Sequence, residues 1–282
     1  LLGPNGSGKT TAISCLLSLL KYDRGQVEIF GEEMKPDSYK IKEQIGIVLQ
    51  NIAVFEELTV QENIDYFCGL YIRDKKRRKE LVEEAIEFTG LEDFRKMHPK
   101  KLSGGLLRRL NIACGIAHKP RLIIMDEPTV AVDPQSRNKI LEGIQTLNRQ
   151  GSTIIYTSHY MEEVEAICNK IVIIDSANII ACGTIDEIRK QISGKQNISI
   201  EYFGEPAQAM RAAEELKGIR FVDNVQVSEQ KITCTLTSRS EDLFSIIRPI
   251  ANAGVKIVNI NSTEMKLQDI FLSLTGKDLR DE

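Results

Sequence analysis

A glycine-rich segment near the start of the chain limits most strongly what this sequence can fold into. The segment matches the pattern G-x-x-x-x-G-K-S/T and consists of Gly3, Pro4, Asn5, Gly6, Ser7, Gly8, Lys9, Thr10 and Thr11. Glycines let such a loop curl until its backbone N–H groups face a phosphate, and the following helix adds its positive N-terminus. Lys9 would reach the outer phosphates, and the Thr10 hydroxyl would bind Mg²⁺. An ordinary glycine-rich turn is the alternative, but the residues from Ile13 onward have the helical pattern that a phosphate loop requires.

Strand-length apolar segments alternate with helical patterns along the first two thirds of the chain. The segments that predict strands are residues 27–30, 45–49, 122–125, 153–157 and 171–175. Residues 122–125 and 171–174 are apolar without alternation, which is typical of strands buried on both faces of a sheet. Helices are predicted at 10–20 and 134–150, with Asp133 as the cap of the second. The alternation predicts an α/β domain.

Residues 59–118 interrupt this rhythm with helical patterns and little sign of strands. Thr59 and Glu62 match a capping box, a second helical stripe follows, and Ser103 precedes a third. The region therefore predicts a helical subdomain inserted in the α/β core. Its basic run at residues 75–79 is interpreted as a solvated face, with a phosphate or lipid contact as the alternative.

The final third of the chain has a different order of elements. A linker is predicted at residues 193–197, and beyond it strands are predicted at 198–203, 220–227, 231–236 and 255–260. Helices at 207–216 and 241–253 complete a βαββαβ order, which is typical of a small ferredoxin-like α+β unit, and a short helix follows at 267–274. The sequence thus predicts two domains, residues 1–192 and 197–278.

Charge and composition exclude several classes of protein. The chain has 37 Lys and Arg against 40 Asp and Glu, whereas a protein that binds nucleic acid along its whole length is usually basic. Its apolar runs are too short for a membrane helix, which needs about 20 apolar residues. The 6 Cys form no C-x-x-C pair and the 3 His are not at ligand spacing from them, so only magnesium is expected as a metal.

Two carboxylates follow the apolar segment 122–125 directly. Ligands of parallel sheets lie beyond the carboxyl ends of the strands, so Asp126 is expected to face the metal. Glu127 is expected to polarise a water molecule for attack on the γ-phosphate. Acidic residues often follow buried strands without any such role, and it is the phosphate loop in the same chain that favours the catalytic interpretation.

Three further sites are ambiguous when each is taken alone. Ser103, Gly104 and Gly105 open a predicted helix, where Ser103 is either a simple cap or part of an anion site. Gln50 ends the segment 45–49 and is either a turn residue or a ligand. His159 follows the segment 153–157 and is either structural or catalytic.

The order of these sites along residues 1–190 resembles that of the ABC-type ATPases, whose fold is a P-loop NTPase core with a helical subdomain. By that resemblance, Gln50 touches Mg²⁺ and the attacking water and senses the transport partner, while His159 contacts the γ-phosphate. Asp133 signals across a dimer, and residues 103–105 close over ATP held by the other subunit. The resemblance therefore implies ATP and Mg²⁺ as cofactors, Lys9, Gln50, Glu127 and His159 as the catalytic group, and a head-to-tail dimer.

Three departures from the family pattern carry expectations. Leu106 stands where the motif usually has Gln, and weakened activity is expected because Leu lacks the polar contact. Ala131 stands where Gly is common before Asp133, which is a minor change. The strand that leads into the phosphate loop is reduced to Leu1 and Leu2, without the family's upstream strands or adenine-stacking aromatic residue, so residues 1–282 are expected to fold poorly alone.

The second domain and residues 267–277 resemble the C-terminal extension of type-2 ABC exporter ATPases, of the drug, antibiotic and sodium efflux kind. The resemblance implies an ATP-hydrolysing subunit, peripheral on the cytoplasmic face of the cell membrane, with polytopic permease subunits as partners and no nucleic acid. A partner helix is expected near Phe55, Leu58 and residues 60–70, with core packing as the alternative. The alternative functions are a soluble ABC-type switch acting on ribosomes or nucleic acid, and an ATP-binding regulator without turnover.

Overall fold

The computed structural model describes residues 1–192, 196–228, 230–237, 243–264 and 266–275. The chain forms two compact units, Leu1–Ile179 and Ile180–Asp278. Residues 193–195 of the predicted linker, 241–242 of a predicted helix and 276–278 at the end of the predicted second domain lie outside the described residues. The predicted boundary between residues 192 and 197 stays a prediction.

The first unit alternates strands and helices as predicted. Its elements in chain order are α1 (Lys9–Leu16), β1 (Glu28–Ile29), β2 (Glu32–Glu33), α2 (Tyr39–Lys42), β3 (Ile45–Val48), α3 (Val60–Gly69), α4 (Lys75–Thr89), α5 (Gly104–Ile116), β4 (Leu122–Asp126), α6 (Pro134–Arg149), β5 (Thr153–Thr157), α7 (Met161–Ile167) and β6 (Ile171–Asp175). A further strand, β7 (Asn178–Gly183), crosses from this unit into the second.

A parallel sheet in the order β3-β4-β5 forms the centre of this unit. Every residue of β4 is buried, as its unbroken apolar sequence predicts. Ile123 and Met125 pack in one hydrophobic cluster, whereas Leu122 and Ile124 pack in another. Because successive side chains of a strand point to opposite faces, the sheet is covered on both sides.

Two local predictions differ from the structure. Residues 27–30 contribute only the two-residue strand β1, which pairs antiparallel with β2 and not with the parallel sheet. Helix α1 ends at Leu16, four residues before the predicted end, because the chain turns through Ser18 at a φ of 53°. A positive φ is incompatible with a continuing right-handed helix.

The helical subdomain consists of α3, α4 and α5 around a shared apolar cluster that includes Ile64, Ile86 and Leu110. The predicted capping box is confirmed, since the Thr59 hydroxyl accepts from the Glu62 N–H and the Glu62 carboxylate accepts from the Thr59 N–H at 2.8 Å. In the basic run, Arg77 pairs with Glu80 and Arg78 pairs with Asp65 of α3. These pairs favour the predicted solvated face over a contact with a ligand.

Two glycines bring α5 unusually close to the sheet. A Cβ atom on Gly46 of β3 would lie 2.3 Å from the Gly115 carbonyl oxygen. A Cβ atom on Gly115 of α5 would lie 2.8 Å from the Ile47 carbonyl oxygen. Only Gly fits at either position, so helix and strand are held at a fixed distance.

The second unit contains α8 (Ile185–Ile192), β8 (Gln196–Phe203), α9 (Pro206–Lys217), β9 (Val222–Ser228), β10 (Lys231–Leu236), α10 (Phe244–Asn252), β11 (Lys256–Glu264) and α11 (Leu267–Thr275). The sheet order is β11-β8-β10-β9 with antiparallel neighbours, which confirms the predicted ferredoxin-like βαββαβ unit. Its core packs side chains of α9 and α10 against the sheet, among them Ile200, Leu216 and Ile250.

No helix in the described part of the chain is long and apolar enough to cross a membrane.

Candidate active site

The phosphate loop follows Leu2, which is hydrogen-bonded to strand β6. Leu2 N–H donates to the Val172 carbonyl, and Ile174 N–H donates to the Leu2 carbonyl, both at 2.8 Å. Gly6 and Gly8 have φ values of 76° and 102°, which only Gly adopts freely. The loop then enters α1 at Lys9, with its backbone curled in front of the helix N-terminus.

The Lys9 ammonium group lies across the mouth of this loop. Its Nζ donates to the carbonyl oxygens of Gly3 at 2.7 Å and Pro4 at 3.2 Å. Burial lowers the pKa of Lys9, while the charges of Glu127 and Asp126 oppose that decrease. Lys9 lines the cavity described below, and its contact with the outer phosphates of a nucleotide stays a prediction.

One cavity of about 700 Å³ is lined by many of the predicted residues, although not by Gly3 or Pro4 of the phosphate loop. Its lining consists of Asn5, Gly6, Ser7, Gly8, Lys9, Thr10, Thr11, Gln50, Asp126, Glu127, His159 and Tyr160. Gln50 follows β3, Asp126 ends β4, and His159 follows β5. The cavity therefore lies at the carboxyl ends of three neighbouring parallel strands, as expected for this class of fold.

The Glu127 carboxylate is held between two polar side chains. Gln50 Nε2 donates to Glu127 Oε2 at 3.0 Å, and His159 Nδ1 donates to Glu127 Oε1 at 3.1 Å. The Glu127 N–H donates to the Thr157 hydroxyl at 3.0 Å, and the same hydroxyl donates to Asp126. The Glu127 carboxylate therefore lines the same cavity as the phosphate loop, and its role as a general base stays a prediction.

The oxygen atoms near Thr10 suit magnesium. The Thr10 hydroxyl, the Gln50 amide oxygen and the Asp126 carboxylate belong to side chains that line the same cavity. These are hard oxygen donors of the kind that Mg²⁺ prefers, and Mg²⁺ keeps several waters besides them. The residues present therefore fit the ion.

The segment Ser103–Gly105 and Asp133 lie together but do not line this cavity. Ser103 caps α5 through the Leu106 N–H, and Asp133 caps α6 by accepting from the Ser136 N–H at 2.9 Å. These hydrogen bonds to Ser136 lower the pKa of Asp133. A Cβ atom on Gly105 would lie 2.6 Å from the Ser136 hydroxyl and 2.9 Å from the Asp133 carboxylate, so only Gly fits.

Two departures from the family pattern have visible consequences here. The side chain of Leu106 is half-buried and packs against the apolar cluster of the helical subdomain. Ala131 has a φ of 58°, in the left-handed region where Gly is strongly preferred. The local backbone therefore explains why a Gly suits the residue before Val132 and Asp133.

Several polar residues at or near the cavity were not predicted from the sequence. Tyr160 lines it, with the Arg137 guanidinium 4.3 Å above the ring centre. Glu163 is buried and its Oε2 accepts from three hydroxyl groups, those of Thr129, Tyr156 and Ser158, at 2.6–2.9 Å. This network joins the loop after Glu127 to the loop that carries His159. Charged residues on helix faces give no sequence signal of such contacts.

Arg108 was missed for the same reason. It lies on α5 with only 3% of its surface exposed. Its Nη1 donates to the Leu49 carbonyl at 2.9 Å and its Nη2 donates to the Glu127 carbonyl at 3.1 Å.

Comparison with protein families gives two matches. Residues 1–130 match the family model described as ABC transporter. Residues 183–275 match the model described as ATP-binding protein DrrA1-3-like, C-terminal domain. The second match begins at residue 183, within the predicted first domain of residues 1–192.

Curated relatives are similar along the whole chain. The linearmycin resistance ATP-binding protein LnrL of Bacillus subtilis is 38% identical over 100% of this chain and 90% of its own length. The daunorubicin resistance ATP-binding protein DrrA3 of Streptomyces coeruleorubidus is 30% identical over 99% of this chain and 87% of its own length. The Nod factor export ATP-binding protein I of a Rhizobium species is 32% identical over 99% of this chain and 88% of its own length.

Solved structures agree with the predicted fold class. The ATP-binding subunit of an ABC transporter matches with a TM-score of 0.62 and 26% identity, covering 67% of this chain and 79% of that one. The ATP-binding cassette MJ0796, in a dimeric post-hydrolysis state bound to ADP and Pi, matches with a TM-score of 0.59 and 26% identity, covering 65% of this chain and 83% of that one.

Proposed function

The chain belongs to the ATP-binding subunits of export-type ABC transporters. We propose that it hydrolyses ATP with Mg²⁺ and that this hydrolysis drives export through a separate membrane-spanning partner. The observation that carries the hydrolytic part is the Glu127 carboxylate, which is held by Gln50 and His159 and lines the same cavity as the phosphate loop. An ATP-binding regulator without turnover would not require a general base at that place.

Nucleotide binding is assigned to the loop of residues 3–11. Its backbone N–H groups and the N-terminus of α1 face the phosphates, and Lys9 adds a positive charge to the β- and γ-phosphates. Thr10, Gln50 and Asp126 would hold Mg²⁺, which when bound supplies charge that offsets the phosphate oxygens. Lys9 then exchanges its present carbonyl partners, those of Gly3 and Pro4, for phosphate oxygens.

Hydrolysis is assigned to Glu127 and its two partners. The Glu127 carboxylate takes a proton from a water molecule while the water oxygen forms a bond to the γ-phosphorus. The bond between the γ-phosphorus and the bridging oxygen breaks, and ADP leaves with the electron pair. Gln50 and His159 orient the carboxylate, and His159 also contacts the γ-phosphate.

A second subunit is proposed to complete each site. The proposal is supported by the cavity lined by the phosphate loop, because Ser103–Gly105 and Asp133 are not among the residues that line it. In a head-to-tail dimer, the N-terminus of α5 in one subunit would cover ATP held by the other. ATP would then favour the closed dimer because it binds that state best, and loss of the γ-phosphate would reopen it.

The transport partner is proposed to contact the surface after Gln50, on the cytoplasmic face of the membrane. Phe55 and Tyr66 are half-exposed and pack edge to face at 4.9 Å, next to Phe67. Phe67 packs against the apolar cluster of the helical subdomain, so part of this region serves the core and part faces outward. Export is the proposed direction because the relatives are named for resistance or for Nod factor export.

The test is ATP turnover by the full-length protein assembled with its membrane partner. Glu127→Gln should lower turnover by at least about 100-fold, because the base is lost, while ATP affinity stays within a few-fold. Glu162→Gln, a change of an exposed carboxylate on α7, is the matched control and should leave turnover unchanged.

Two results would contradict the proposal. Unchanged turnover in Glu127→Gln would show that another group is the base. Recovery of ribosomes, in place of a polytopic membrane protein, during affinity purification from membranes would support the alternative of a soluble ABC-type switch.

A further inference from the structure

We propose that Arg108, on helix α5, is a positioning residue. It holds Glu127 and the segment of residues 49–53, which includes Gln50, in fixed positions relative to α5, the helix that Ser103 caps. The proposal rests on the ATPase function proposed above and deepens it. Arg108 is buried on α5 and does not line the cavity. It acts on Glu127 through that residue's own carbonyl and on Gln50 through the carbonyl of the preceding residue, Leu49.

The guanidinium group bridges two parts of the site that are distant in sequence. Nη1 donates to the Leu49 carbonyl, one residue before Gln50, and Nη2 donates to the carbonyl of Glu127 itself. Arg has five N–H donors in a rigid planar fork, so one side chain can hold both carbonyls at a fixed separation. Lys has the same charge but one nitrogen atom, which cannot reproduce that geometry.

The charge of Arg108 also faces the catalytic carboxylates. Burial lowers the pKa of Arg108, while the charges of Glu127 and Asp126 act in the opposite direction. A buried guanidinium group destabilises the folded state unless it is hydrogen-bonded and lies near negative charge. Here the two carbonyls and the two carboxylates supply both, so the carboxylates and Arg108 hold one another in place.

Asn111 ties the same segment at a second point. Its Nδ2 donates to the Leu49 carbonyl at 3.3 Å, and its Oδ1 accepts from the Ala53 N–H at 3.1 Å. Residues 49–53, which include Gln50, are therefore fastened to α5 at both ends. Asn111 is one turn beyond Arg108 on the same face of the helix.

The helix that carries these side chains has little freedom to move independently of the sheet. One turn beyond Asn111, Gly115 lies against Gly46 and Ile47 with no room for a Cβ atom. The face of α5 that consists of Arg108, Asn111 and Gly115 therefore contacts β3 and the segment after it along its length. A displacement of the Ser103 end, where a second subunit's nucleotide would bind, is transmitted to Gln50 and Glu127.

The next residue provides a matched control. Arg109 points to the other side of α5, where its Nη1 donates to the carbonyls of Thr89 at 3.1 Å and Gly90 at 3.2 Å, at the end of α4. It has the same side chain, the same helix and two carbonyl acceptors, but no contact with Gln50 or Glu127. A purely structural role would give similar results at both positions.

The experiment compares Arg108→Lys and Arg108→Gln with Arg109→Lys and Arg109→Gln in the full-length protein assembled with its membrane partner. Steady-state ATP hydrolysis is measured over a range of ATP concentrations, and thermal unfolding is measured on the same samples. We expect both Arg108 variants to lose at least about tenfold in kcat with KM changed less than about threefold. The Arg109 variants should stay within about twofold of the wild type in both constants.

A double-variant test separates positioning from general damage. In the Glu127→Gln background, adding Arg108→Lys should lower the residual single-turnover rate by less than about threefold, because the base that Arg108 positions is already lost. Asn111→Ala provides a second route if Arg108→Gln does not fold, and should also lower kcat without raising KM.

Three results would overturn the inference. The first is a wild-type kcat in Arg108→Lys. The second is a rise in KM in place of a fall in kcat. The third is a tenfold fall in the single-turnover rate when Arg108→Lys is added to Glu127→Gln. Absence of ATP hydrolysis in the wild type would overturn the proposed function as well, whereas normal wild-type hydrolysis with any of these three results overturns only the role of Arg108.

Discussion

The free energy of unfolding is expected to fall between pH 7 and pH 5, partly because His118 is buried in its neutral form. Replacement of His118 by Phe should make that decrease smaller by about 2 kcal/mol. His118 is 8% exposed, follows α5, and its ring stacks on Tyr71 with centroids 4.0 Å apart. Its Nε2 donates to the Ile45 carbonyl at 3.3 Å, and its Nδ1 has no partner among the described residues. The neutral ring is therefore satisfied on one side, whereas the protonated ring would bury a second N–H without an acceptor.

The sign and size follow from the pKa. Burial lowers the pKa of His118 from 6.5 to about 4, with the bond to Ile45 opposing the decrease. Between these values the unfolded chain binds a proton that the folded chain does not, so protonation favours unfolding. The folded state keeps its full stability above the unfolded pKa and loses it as the pH falls towards the folded pKa. At pH 5 the linkage relation gives a loss of about 2 kcal/mol relative to pH 7.

Urea unfolding of the full-length protein at pH 7 and pH 5 measures this effect. Far-UV circular dichroism is the suitable probe because the chain has no Trp. Phe keeps the stacked ring but cannot titrate, and the loss of the bond to Ile45 affects both pH values equally. The informative quantity is therefore the difference in unfolding free energy between the two pH values, not either value alone.

His98→Gln is the control, because the His98 side chain is exposed and its replacement should leave that pH difference within about 0.5 kcal/mol of the wild type. Equal pH dependence in wild type and His118→Phe would refute the reasoning. It would show that the buried ring takes up its proton without leaving the folded structure.

Three other changes should have outcomes that follow from local geometry. Lys9→Ala should lower ATP affinity at least about tenfold in a nucleotide-binding titration, because a charge-assisted contact to the phosphates is lost; equal affinity would contradict the assignment of the loop. Ala131→Gly should raise the free energy of unfolding by about 1 kcal/mol, since Ala131 adopts a φ of 58°, and an unchanged or lower thermal midpoint would argue against strain there. Gly115→Ala should destabilise the protein by about 2 kcal/mol in urea unfolding, because its Cβ would lie 2.8 Å from the Ile47 carbonyl oxygen; wild-type stability would mean that α5 can move away from β3.

Local chemistry in the sequence determined much of this protein. The spacing of Gly6, Gly8 and Lys9 predicts a phosphate loop, because the curl of the backbone depends on residues within a few positions of one another. The capping box at Thr59 and the buried strand before Asp126 were predictable for the same reason. Ligands of parallel sheets lie beyond the carboxyl ends of the strands, so Asp126 was expected at this edge, whereas Gln50 and His159 were placed in the site only by the family resemblance.

Tertiary structure decided which polar side chains hold these groups in place. Arg108 contacts the Leu49 carbonyl, and His118 contacts the Ile45 carbonyl, across 59 and 73 residues of sequence. A charged or polar residue on a helix has the same sequence pattern whether it faces water or a buried carbonyl. The difference arises only when packing removes the water, and here the contact of Gly115 with β3 brings that face of α5 against the sheet. The sequence therefore determines the chemical groups of the site, and the packing of α5 determines how they are held.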